Sequence, residues 1–481
     1  MKKKIIILSM IITLLTGSLL AGTLLTGCSK QETALLNPNE PVVITLWHAY
    51  NAYAKAVFDK QVQLFNETVG LEQGIVVDAY GYGTSEELDE ALYNSANRMI
   101  GASPMPDLFT AYPDSAYRLD QITPLADLRA YFSEEELSAY RPEFLKEGIW
   151  GEDNAIKMIP IAKSTELLFV NGTDWDVFKE ETNITDNHLS TWEGLAEAAR
   201  TYYAWSGGKP LLGMNSYNDF AFLTAAQLGV DPYEMDQGNV SGFNYPEEAA
   251  KRIWDVYYVP HIMGWYKSQI FNQDGIKSGN LICYIGSSAG AGYFPKHVIL
   301  NEQNEYEIEC RVFPYPVFNG GQEYMTQRGA NMGVSASDKV REYAAAEFLK
   351  WFTASQQNIE FTVSTGYIPV KEDALSSVSE LLQHVKEGDN SEAVKKSASA
   401  ALNAMKKGIF YSKKVFPGSY RCDELFKESL EKKVEIDLYE LEARTAAGET
   451  REAVQEELVR EDNFKEWYQS LLNEMAGSMN E

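Results

Sequence analysis

The chain has 481 residues, of which 45% are hydrophobic and 12% aromatic, and its formal net charge is −27 at pH 7. This apolar content is sufficient for buried cores, so the composition excludes an intrinsically disordered chain. The negative charge disfavours nucleic acid and anionic lipid surfaces as partners, because both repel an acidic protein. It does not exclude an anionic ligand, since an acidic protein can carry a locally positive site. The length predicts two domains.

The N-terminal segment has the pattern of a signal peptide. Lysines at positions 2 to 4 precede an apolar run over residues 5–25, and Cys28 follows a leucine, a threonine and a glycine. Basic, apolar and small residues in this order are typical of a secretory signal. A plain transmembrane anchor is the alternative, because the run is near the minimum length for a membrane span. The polar residues 28–41 are typical of a flexible stalk.

The next part of the chain alternates between predicted strands and helices. Expected strands cover residues 42–47, 74–82 and 107–112, and expected helices cover 54–69 and 85–100. This alternation is typical of a parallel, doubly wound α/β sheet. In such sheets ligands meet the loops at the carboxyl ends of the strands. Those loops contain the candidate binding residues Trp47, His48, Tyr50, Tyr82, Tyr112 and Asp114. Core packing is the alternative for Trp47, and a turn is the alternative for Asp114.

The middle of the chain contains further strand signals. Residues 155–170 are apolar, and Pro160 prevents them from forming a helix interior. Residues 279–292 predict a strand that enters a small-residue loop with Ser287 and Ser288, which offer hydroxyl and amide groups or mark a tight turn. Two prolines in residues 308–316 indicate a linker rather than a central strand.

The stretch from Arg328 to Val370 predicts a strand, two helices and a return loop. The strand covers residues 330–335, and Asp338 offers a first-turn acid to a helix. Ala344, Phe348 and Phe352 recur at helical spacing and form one buried stripe. Gly366 ends the second helix.

This order of parts resembles a known pattern. "AAAEFLKWFTASQQNIEF" followed by "TGYIPV", and "TWEGLAEAA" at residues 191–199, are similar to segments of extracellular solute-binding proteins of carbohydrate-type ABC importers. The leucine-to-cysteine pattern that ends at Cys28 is similar to a bacterial lipobox. The resemblance implies a type II periplasmic-binding-protein-like fold, in which crossover strands join two lobes and each lobe is a doubly wound α/β sheet flanked by helices. It also implies a mature chain that begins at Cys28 and carries lipid there.

The resemblance divides the chain as follows. Residues 1–27 are the signal peptide, 28–41 the stalk, 42–157 and 315–366 the N-terminal lobe, and 158–314 and 367–481 the C-terminal lobe. The C-terminal lobe ends in a charged helical extension. We expect these helices to pack on the second lobe, and a docking surface for a membrane partner is the alternative.

Within the family, the pattern is most similar to the glycerol-3-phosphate or glycerophosphodiester-binding subgroup. The positions that match this subgroup are Ser164 or Thr165, Ser287 with Ser288, Gly329 with Ala330, Tyr367, and Arg421. A guanidinium binds phosphate in two-point geometry, whereas a surface salt bridge is the alternative for Arg421. Tyr217 and Phe220 stand where the subgroup has two tryptophans, and Ser85 stands at its early tyrosine. The resemblance therefore implies the lobe architecture more strongly than it implies the identity of the ligand. Further candidate ligand contacts are Trp265, as a stacking ring, and Asn331.

The sequence lacks the common catalytic and metal-binding motifs. The sequence has no HExxH, GxSxG, GxxxxGK[ST] or GxGxxG pattern, and its five histidines are scattered. We therefore expect no metal, no cofactor and no enzyme activity. Cys283 and Cys310 form a disulfide or remain buried thiols. A glycosidase pair of carboxylates stays open, because nothing singles out two of the 69 acidic residues.

The resemblance implies a monomeric, lipid-anchored protein on the extracellular or periplasmic side of the cell membrane. It would capture a sugar, an oligosaccharide or a polyol or glycerol phosphate by hinge closure and deliver it to an ABC permease. A lipid-anchored glycoside hydrolase and a non-transport sensor or adhesion lipoprotein are the alternatives.

Overall fold

The computed structural model describes residues 35–151, 153–214, 218–236, 239–268, 272–381 and 391–479. Cys28, the apolar run before it and Tyr217 lie outside the described residues. In the described ranges, no helix is both long enough and apolar enough to cross a membrane.

The secondary structure consists of short strands and amphipathic helices. The strands are β1 (Val42–His48), β2 (Ile75–Gly81), β3 (Leu108–Ala111), β4 (Ile149–Trp150), β5 (Ala155–Ile156), β6 (Met158–Ser164), β7 (Glu166–Asn171), β8 (Leu212–Met214), β9 (Tyr233–Asp236), β10 (Asn239–Phe243), β11 (Tyr266–Ser268), β12 (Cys283–Ser287), β13 (His297–Asn301), β14 (Asn304–Glu307), β15 (Cys310–Pro314), β16 (Tyr324–Thr326), β17 (Arg328–Val334) and β18 (Ile409–Tyr411). The helices are α1 (Ala52–Glu67), α2 (Val69–Gln73), α3 (Ser85–Ala96), α4 (Pro113–Ile122), α5 (Glu134–Ser138), α6 (Pro142–Lys146), α7 (Gly172–Glu180), α8 (Trp192–Trp205), α9 (Asn218–Gln227), α10 (Glu247–Ile262), α11 (Asn272–Lys277), α12 (Lys339–Phe352), α13 (Ser355–Thr365), α14 (Glu372–Leu381), α15 (Ser391–Met405), α16 (Ser419–Ala446), α17 (Arg451–Leu458) and α18 (Glu461–Ser478).

The first lobe is built on a five-stranded sheet with the order β2-β1-β3-β17-β6. β1 pairs parallel with β2 and β3, whereas β17 is antiparallel to both β3 and β6. The predicted alternation of strands and helices over the first 70 or so residues of the lobe is confirmed by β1, α1, β2, α3 and β3. The carboxyl ends of β1, β2 and β3 therefore meet at one edge of the sheet.

The second lobe is built on another five-stranded sheet, with the order β11-β8-β12-β7-β15. The segment expected to be a linker contains β15, which is the edge strand of this sheet. Proline is tolerated at an edge, and Pro314 is the last residue of β15. The return to the first lobe occurs later, between β16 and β17, at Gln327.

The chain also passes from the first sheet to the second at Thr165. We expected the change of lobe at residue 158, but β6 pairs with β17 in the first sheet and only β7 joins the second. A third connection passes Ile368, which forms an antiparallel bridge with Lys163 beside this crossover. α14 then packs on α13, and α15 packs on β15.

The returning segment completes the first core. Phe348 and Phe352 are fully buried, and their rings contact Phe65 and Phe58 of α1 with centroids 5.1 and 5.4 Å apart. Burying each phenylalanine contributes roughly 1.5–3 kcal/mol. The predicted stripe on α12 is therefore what holds the return segment against the first sheet.

The charged C-terminal helices belong to the second core. Phe426 and Leu430 of α16, together with Trp467 of α18, are buried with residues of α9 and α10. The hydroxyl of Tyr258 on α10 donates to the buried carboxylate of Asp437 on α16. These helices pack on the second lobe, as expected. Cys283, Cys310 and Cys422 are free thiols, so the disulfide alternative is not formed.

Candidate functional site

Two adjoining cavities lie at the carboxyl end of the first sheet. The inner cavity has an empty volume of about 460 Å³ and is lined by Tyr50, Ser85, Asp89, Tyr112, Gly329 and Tyr367, among others. The outer cavity, about 1070 Å³ including open solvent, shares Ser85, Asp89 and Tyr112 with the inner one. The two cavities are therefore neighbours, and we call them together the cleft.

The outer cavity also has walls from the second lobe. Tyr420, Asp423, Glu424 and Lys427 of α16 line it opposite Asp114 of α4. Since α16 is part of the second core, a solute in the cleft would touch both lobes at once. Such an arrangement allows a solute to favour the closed state of a two-lobed protein.

Three tyrosines surround the inner cavity. The rings of Tyr50 and Tyr367 meet nearly at right angles with centroids 6.1 Å apart. Burial, followed by the nearby Tyr367 and Tyr112, raises the pKa of Tyr50 well above its usual value. The buried Tyr50 hydroxyl has no hydrogen-bond partner among the described residues. Leaving such a group unsatisfied costs roughly 1–3 kcal/mol, so it is suited to bind a polar solute.

Glycine is required at one position of the inner wall. Gly329 has a φ of +101°, and a Cβ atom there would lie 2.4 Å from the carbonyl oxygen of Ala162. Only glycine allows β17 to approach β6 this closely.

Asp89 is the acid shared by both cavities. It accepts a hydrogen bond of 2.5 Å from the hydroxyl of Ser115. Burial raises the pKa of Asp89 to about 6, the Ser115 hydrogen bond opposes this shift, and the charge of Asp114 adds to it.

Asp423 is the buried acid on the opposite wall. Its side chain accepts a hydrogen bond of 2.8 Å from the Tyr233 hydroxyl through Oδ1, while Oδ2 is buried and lacks a hydrogen-bond partner within the described chain. Burial raises the pKa of Asp423 to about 7, Lys413 opposes the shift, and Asp114 increases it. Asp114 of the first lobe and Asp423 of the second line the same outer cavity.

The crossovers form a hydrogen-bonded hinge below the cleft. The amide of Ser288 donates to the carbonyl of Thr165 at 2.8 Å, and the Ser288 hydroxyl accepts from the Thr165 amide at 3.3 Å. The Thr326 hydroxyl accepts from the amide of Glu166 at 3.1 Å. Arg328 holds the Glu166 carboxylate at 2.8 Å. These contacts tie β7, β16 and β17 together where the chain passes between lobes.

The structure brings some of the predicted site residues together. The predicted residues that line the cleft are Tyr50, Tyr112, Asp114, Gly329 and Tyr367. Their roles in ligand binding remain predictions.

Other predicted residues lie in the core or the hinge. Trp47 is buried against Tyr82, with ring centroids 5.2 Å apart. His48 is fully buried, burial lowers its pKa to about 4, and its Nδ1 accepts from the Tyr50 amide at 3.1 Å. The neutral His48 thus positions Tyr50. The remaining buried members are Ser164, Thr165, Ser288 and Asn331, the last with both amide atoms unpartnered among the described residues.

Three further predicted residues also lie outside both cavities. Ser287 caps the 3₁₀ turn after β12. Trp265 precedes β11 and its carbonyl accepts from Leu211, so it lies at the amino end of the second sheet. Arg421 is exposed on α16. It is Tyr420, Asp423 and Lys427 that face the cleft.

Sequence reasoning missed these α16 residues, although a signal was present. Tyr420, Asp423, Glu424 and Lys427 follow the i, i+3, i+4, i+7 spacing of one helix face. Asp89 was missed in the same way, because it lies four residues after Ser85, one turn further into α3.

No curated protein matches the sequence. Several solved structures share the fold. The cyclic α-maltosyl-1,6-maltose binding protein from Arthrobacter globiformis is 17% identical, with a TM-score of 0.62 over 90% of this chain and 99% of that one. UgpB from Mycobacterium tuberculosis, in complex with glycerophosphocholine, is 16% identical, with a TM-score of 0.63 over 90% and 99%. The maltotriose binding protein of Thermus thermophilus, bound with maltotriose, is 15% identical, with a TM-score of 0.59 over 91% and 100%.

These similarities concern the fold, and they confirm the two-lobed α/β architecture expected from the sequence. Membership in a family rests on a separate match. The family model described as bacterial extracellular solute-binding protein matches residues 60–386, which is more than half of the chain. The chain therefore belongs to the bacterial extracellular solute-binding protein family.

Proposed function

We propose that this protein is the lipid-anchored extracellular solute-binding component of an ABC importer, and that it captures a sugar or oligosaccharide by closure of its two lobes. The observation that carries the proposal is the cleft, whose walls come from both lobes beside a hinge of crossover strands. The ligands in the names of the Arthrobacter and Thermus proteins support a carbohydrate. Cys28 would hold the lipid, and a permease in the membrane would receive the solute.

The lining of the cleft suits a polyhydroxylated solute. Tyr50, Tyr112 and Tyr367 surround the inner cavity, and Tyr411 and Tyr420 line the outer one. Aromatic rings pack on the apolar faces of sugars, and the few polar groups between them orient the hydroxyls. No chemical step is required for capture and release.

The charges of the cleft argue against the polyol phosphate alternative. Of the basic residues that line it, Arg328 and Lys427 are already paired with Glu166 and Glu424, and Lys413 lies over the ring of Phe222. The carboxylates of Asp89, Asp114 and Asp423 would repel a phosphate. If Arg421 bound a phosphate, as the sequence resemblance implies, Arg421→Ala would weaken binding of glycerol phosphate far more than binding of neutral sugars. We expect equal, small effects on both.

The proposal is tested with the chain from residue 35 onwards. Thermal shift and calorimetry against maltose, maltotriose and other oligosaccharides should give binding, and X-ray scattering should show a more compact protein with the solute than without it. Chromatography should recover the solute intact, since turnover would support a glycoside hydrolase. Tyr112→Ala should weaken binding by about tenfold or more, whereas Tyr439→Ala, on an exposed side of α16, should not. The absence of binding and closure with every carbohydrate would contradict the proposal.

A further inference from the structure

The outer cavity has more carboxylates than positive charges. Its acidic residues are Glu86, Asp89, Asp114, Glu147, Asp423 and Glu424. Its basic residues are Arg328, Lys413 and Lys427. The wall of the cleft is therefore acidic in its own right, apart from the net charge of the whole chain.

Some carboxylates of the outer cavity are neutralised by ion pairs, and the others are not. Glu147 is paired with Lys163 at 2.5 Å, and Glu424 is paired with Lys427 at 3.2 Å. Arg328 is directed to Glu166, outside the acidic set. Within the described chain, no basic nitrogen lies within 4 Å of the carboxylates of Glu86, Asp89, Asp114 or Asp423.

The unbalanced carboxylates converge from both lobes. Asp114 acts electrostatically on Asp89 in its own lobe and on Asp423 across the cleft. Asp89 and Asp114 also act on Tyr420, which lies beside Asp423 on α16. Like charges on facing walls oppose closure, because each loses solvent as the lobes approach.

Asp423 provides an independent sign of a missing partner. It is 97% buried, it lines the outer cavity, and its Oδ2 atom has no hydrogen-bond donor among the residues described. A buried carboxylate oxygen without a partner costs free energy unless it accepts a hydrogen bond from a donor. Two cations of this region do not donate to Oδ2. The charge of Lys413 acts on Asp423, but its Nζ atom lies over the ring of Phe222. The guanidinium of Arg118 is stacked between the rings of Tyr93 and Tyr420.

We propose that the solute carries a protonated amino group, as amino sugars do, and that this group binds between Asp114 of the first lobe and Asp423 of the second. A neutral sugar would leave the two carboxylates facing each other, whereas an ammonium group would donate to both and favour closure. This inference rests on the proposed function, because it specifies the class of carbohydrate that the same cleft binds.

The test compares matched sugars that differ in their charged amino groups. Calorimetry would measure the affinity of the chain from residue 35 onwards for glucosamine, N-acetylglucosamine and glucose, and for the glucosamine disaccharide and its N-acetylated form. We expect the amines to bind about tenfold or more tightly than their acetylated or neutral counterparts. Their affinity should also fall as salt is added, while that of neutral sugars should stay constant.

Variants separate the site from general charge effects. Asp114→Asn and Asp423→Asn should each reduce amine affinity by about tenfold, and should therefore lower the ratio of amine affinity to neutral sugar affinity. Glu466→Gln removes a carboxylate from an exposed position on α18 and should change neither.

The outcomes distinguish the two levels of the proposal. Neutral sugars that bind as tightly as amines, or Asp423→Asn that leaves amine affinity unchanged, would overturn the amine inference and leave the carbohydrate proposal standing. If no sugar of either kind binds, both are overturned.

Discussion

The guanidinium carbon of Arg118 lies 4.0 Å from the ring centre of Tyr420 and 4.6 Å from that of Tyr93. Arg118 and Tyr93 belong to the first lobe, whereas Tyr420 begins α16 of the second. The stack therefore forms only when the two lobes are close together. It is a direct contact across the cleft that requires no solute.

Removing this stack should open the unliganded protein. A cation–π contact of this kind contributes about 1 kcal/mol, which corresponds to about fivefold in the equilibrium between open and closed states. Tyr420→Ala should therefore increase the radius of gyration measured by X-ray scattering without solute. Tyr420→Phe keeps the ring and should behave like the wild type. Identical scattering from all three proteins would show that the stack does not stabilise closure.

The Asp107–Arg341 pair should stabilise the first lobe in a pH-dependent way. Arg341 of α12 donates to both carboxylate oxygens of Asp107 at 2.7 and 2.6 Å, and Thr45 donates from its amide at 2.8 Å. Burial raises the pKa of Asp107, but the hydrogen bonds of Arg341 and Thr45 outweigh it and hold the pKa below 3.8. Because the folded pKa is lowered, the stabilisation is present above the unfolded pKa and is lost as pH falls through the folded value.

Asp107→Asn should accordingly reduce the free energy of unfolding by about 1–3 kcal/mol at pH 7. The difference from the wild type should shrink below about pH 4, where the wild-type carboxyl also takes up a proton. Urea unfolding at several pH values measures this. Asp462→Asn, at an exposed position, serves as the control, and a constant difference at all pH values would exclude the ionic explanation.

The hinge should depend on a single threonine hydroxyl. Thr326 is 4% exposed, and its Oγ1 atom accepts from the Glu166 amide at 3.1 Å. Thr326→Val keeps the shape but leaves that buried amide without its acceptor, so it should destabilise the protein by about 1–3 kcal/mol in urea unfolding. Thr326→Ser restores the acceptor and should recover most of the loss. Equal stability of the valine and serine variants would contradict the role of the hydroxyl.

Ionisation of Asp423 should lower the stability of the wild-type protein as pH rises. Burial, opposed by Lys413 and increased by Asp114, raises its pKa from 3.8 to about 7. For a raised pKa, the contribution to stability is complete below the unfolded value and is lost as pH rises through the folded value. Asp423→Asn should therefore become more stable than the wild type between about pH 4 and 8, by up to roughly 4 kcal/mol. Thermal unfolding across this range checks it, and a pH-independent difference would contradict the prediction. The same variant should bind amines less tightly, a gain in stability at the expense of function.

Local patterns predicted most of the first lobe. The strand and helix periods of residues 42–112 and the apolar stripe of α12 are set by neighbours in sequence, and the structure has them within a few residues. The same patterns did not separate β6 from β7 at Thr165. Residues 155–170 are apolar throughout, and which sheet each half joins depends on partners more than 100 residues away.

The candidate site shows the same contrast between what local patterns predict and what long-range packing decides. Trp47 and Tyr50 are three residues apart, yet Trp47 packs beneath Tyr82 while Tyr50 lines the inner cavity. Position in the loop indicated that both were near the site, but the direction of each side chain depends on the helices packed around it.

The order of residue types was therefore enough to indicate the family and the two α/β sheets, and it predicted that a solute binds at one edge of the first sheet. These properties arise from periodicity and short motifs, which any stretch of chain carries on its own. The acidity of the cleft and the positions of Asp114 and Asp423 on its two walls arise only when α16 packs against α9 and α10 of the second lobe and comes to lie across from α4. Residues so distant in the chain share no local pattern, so their proximity is decided by the packing of the two lobes.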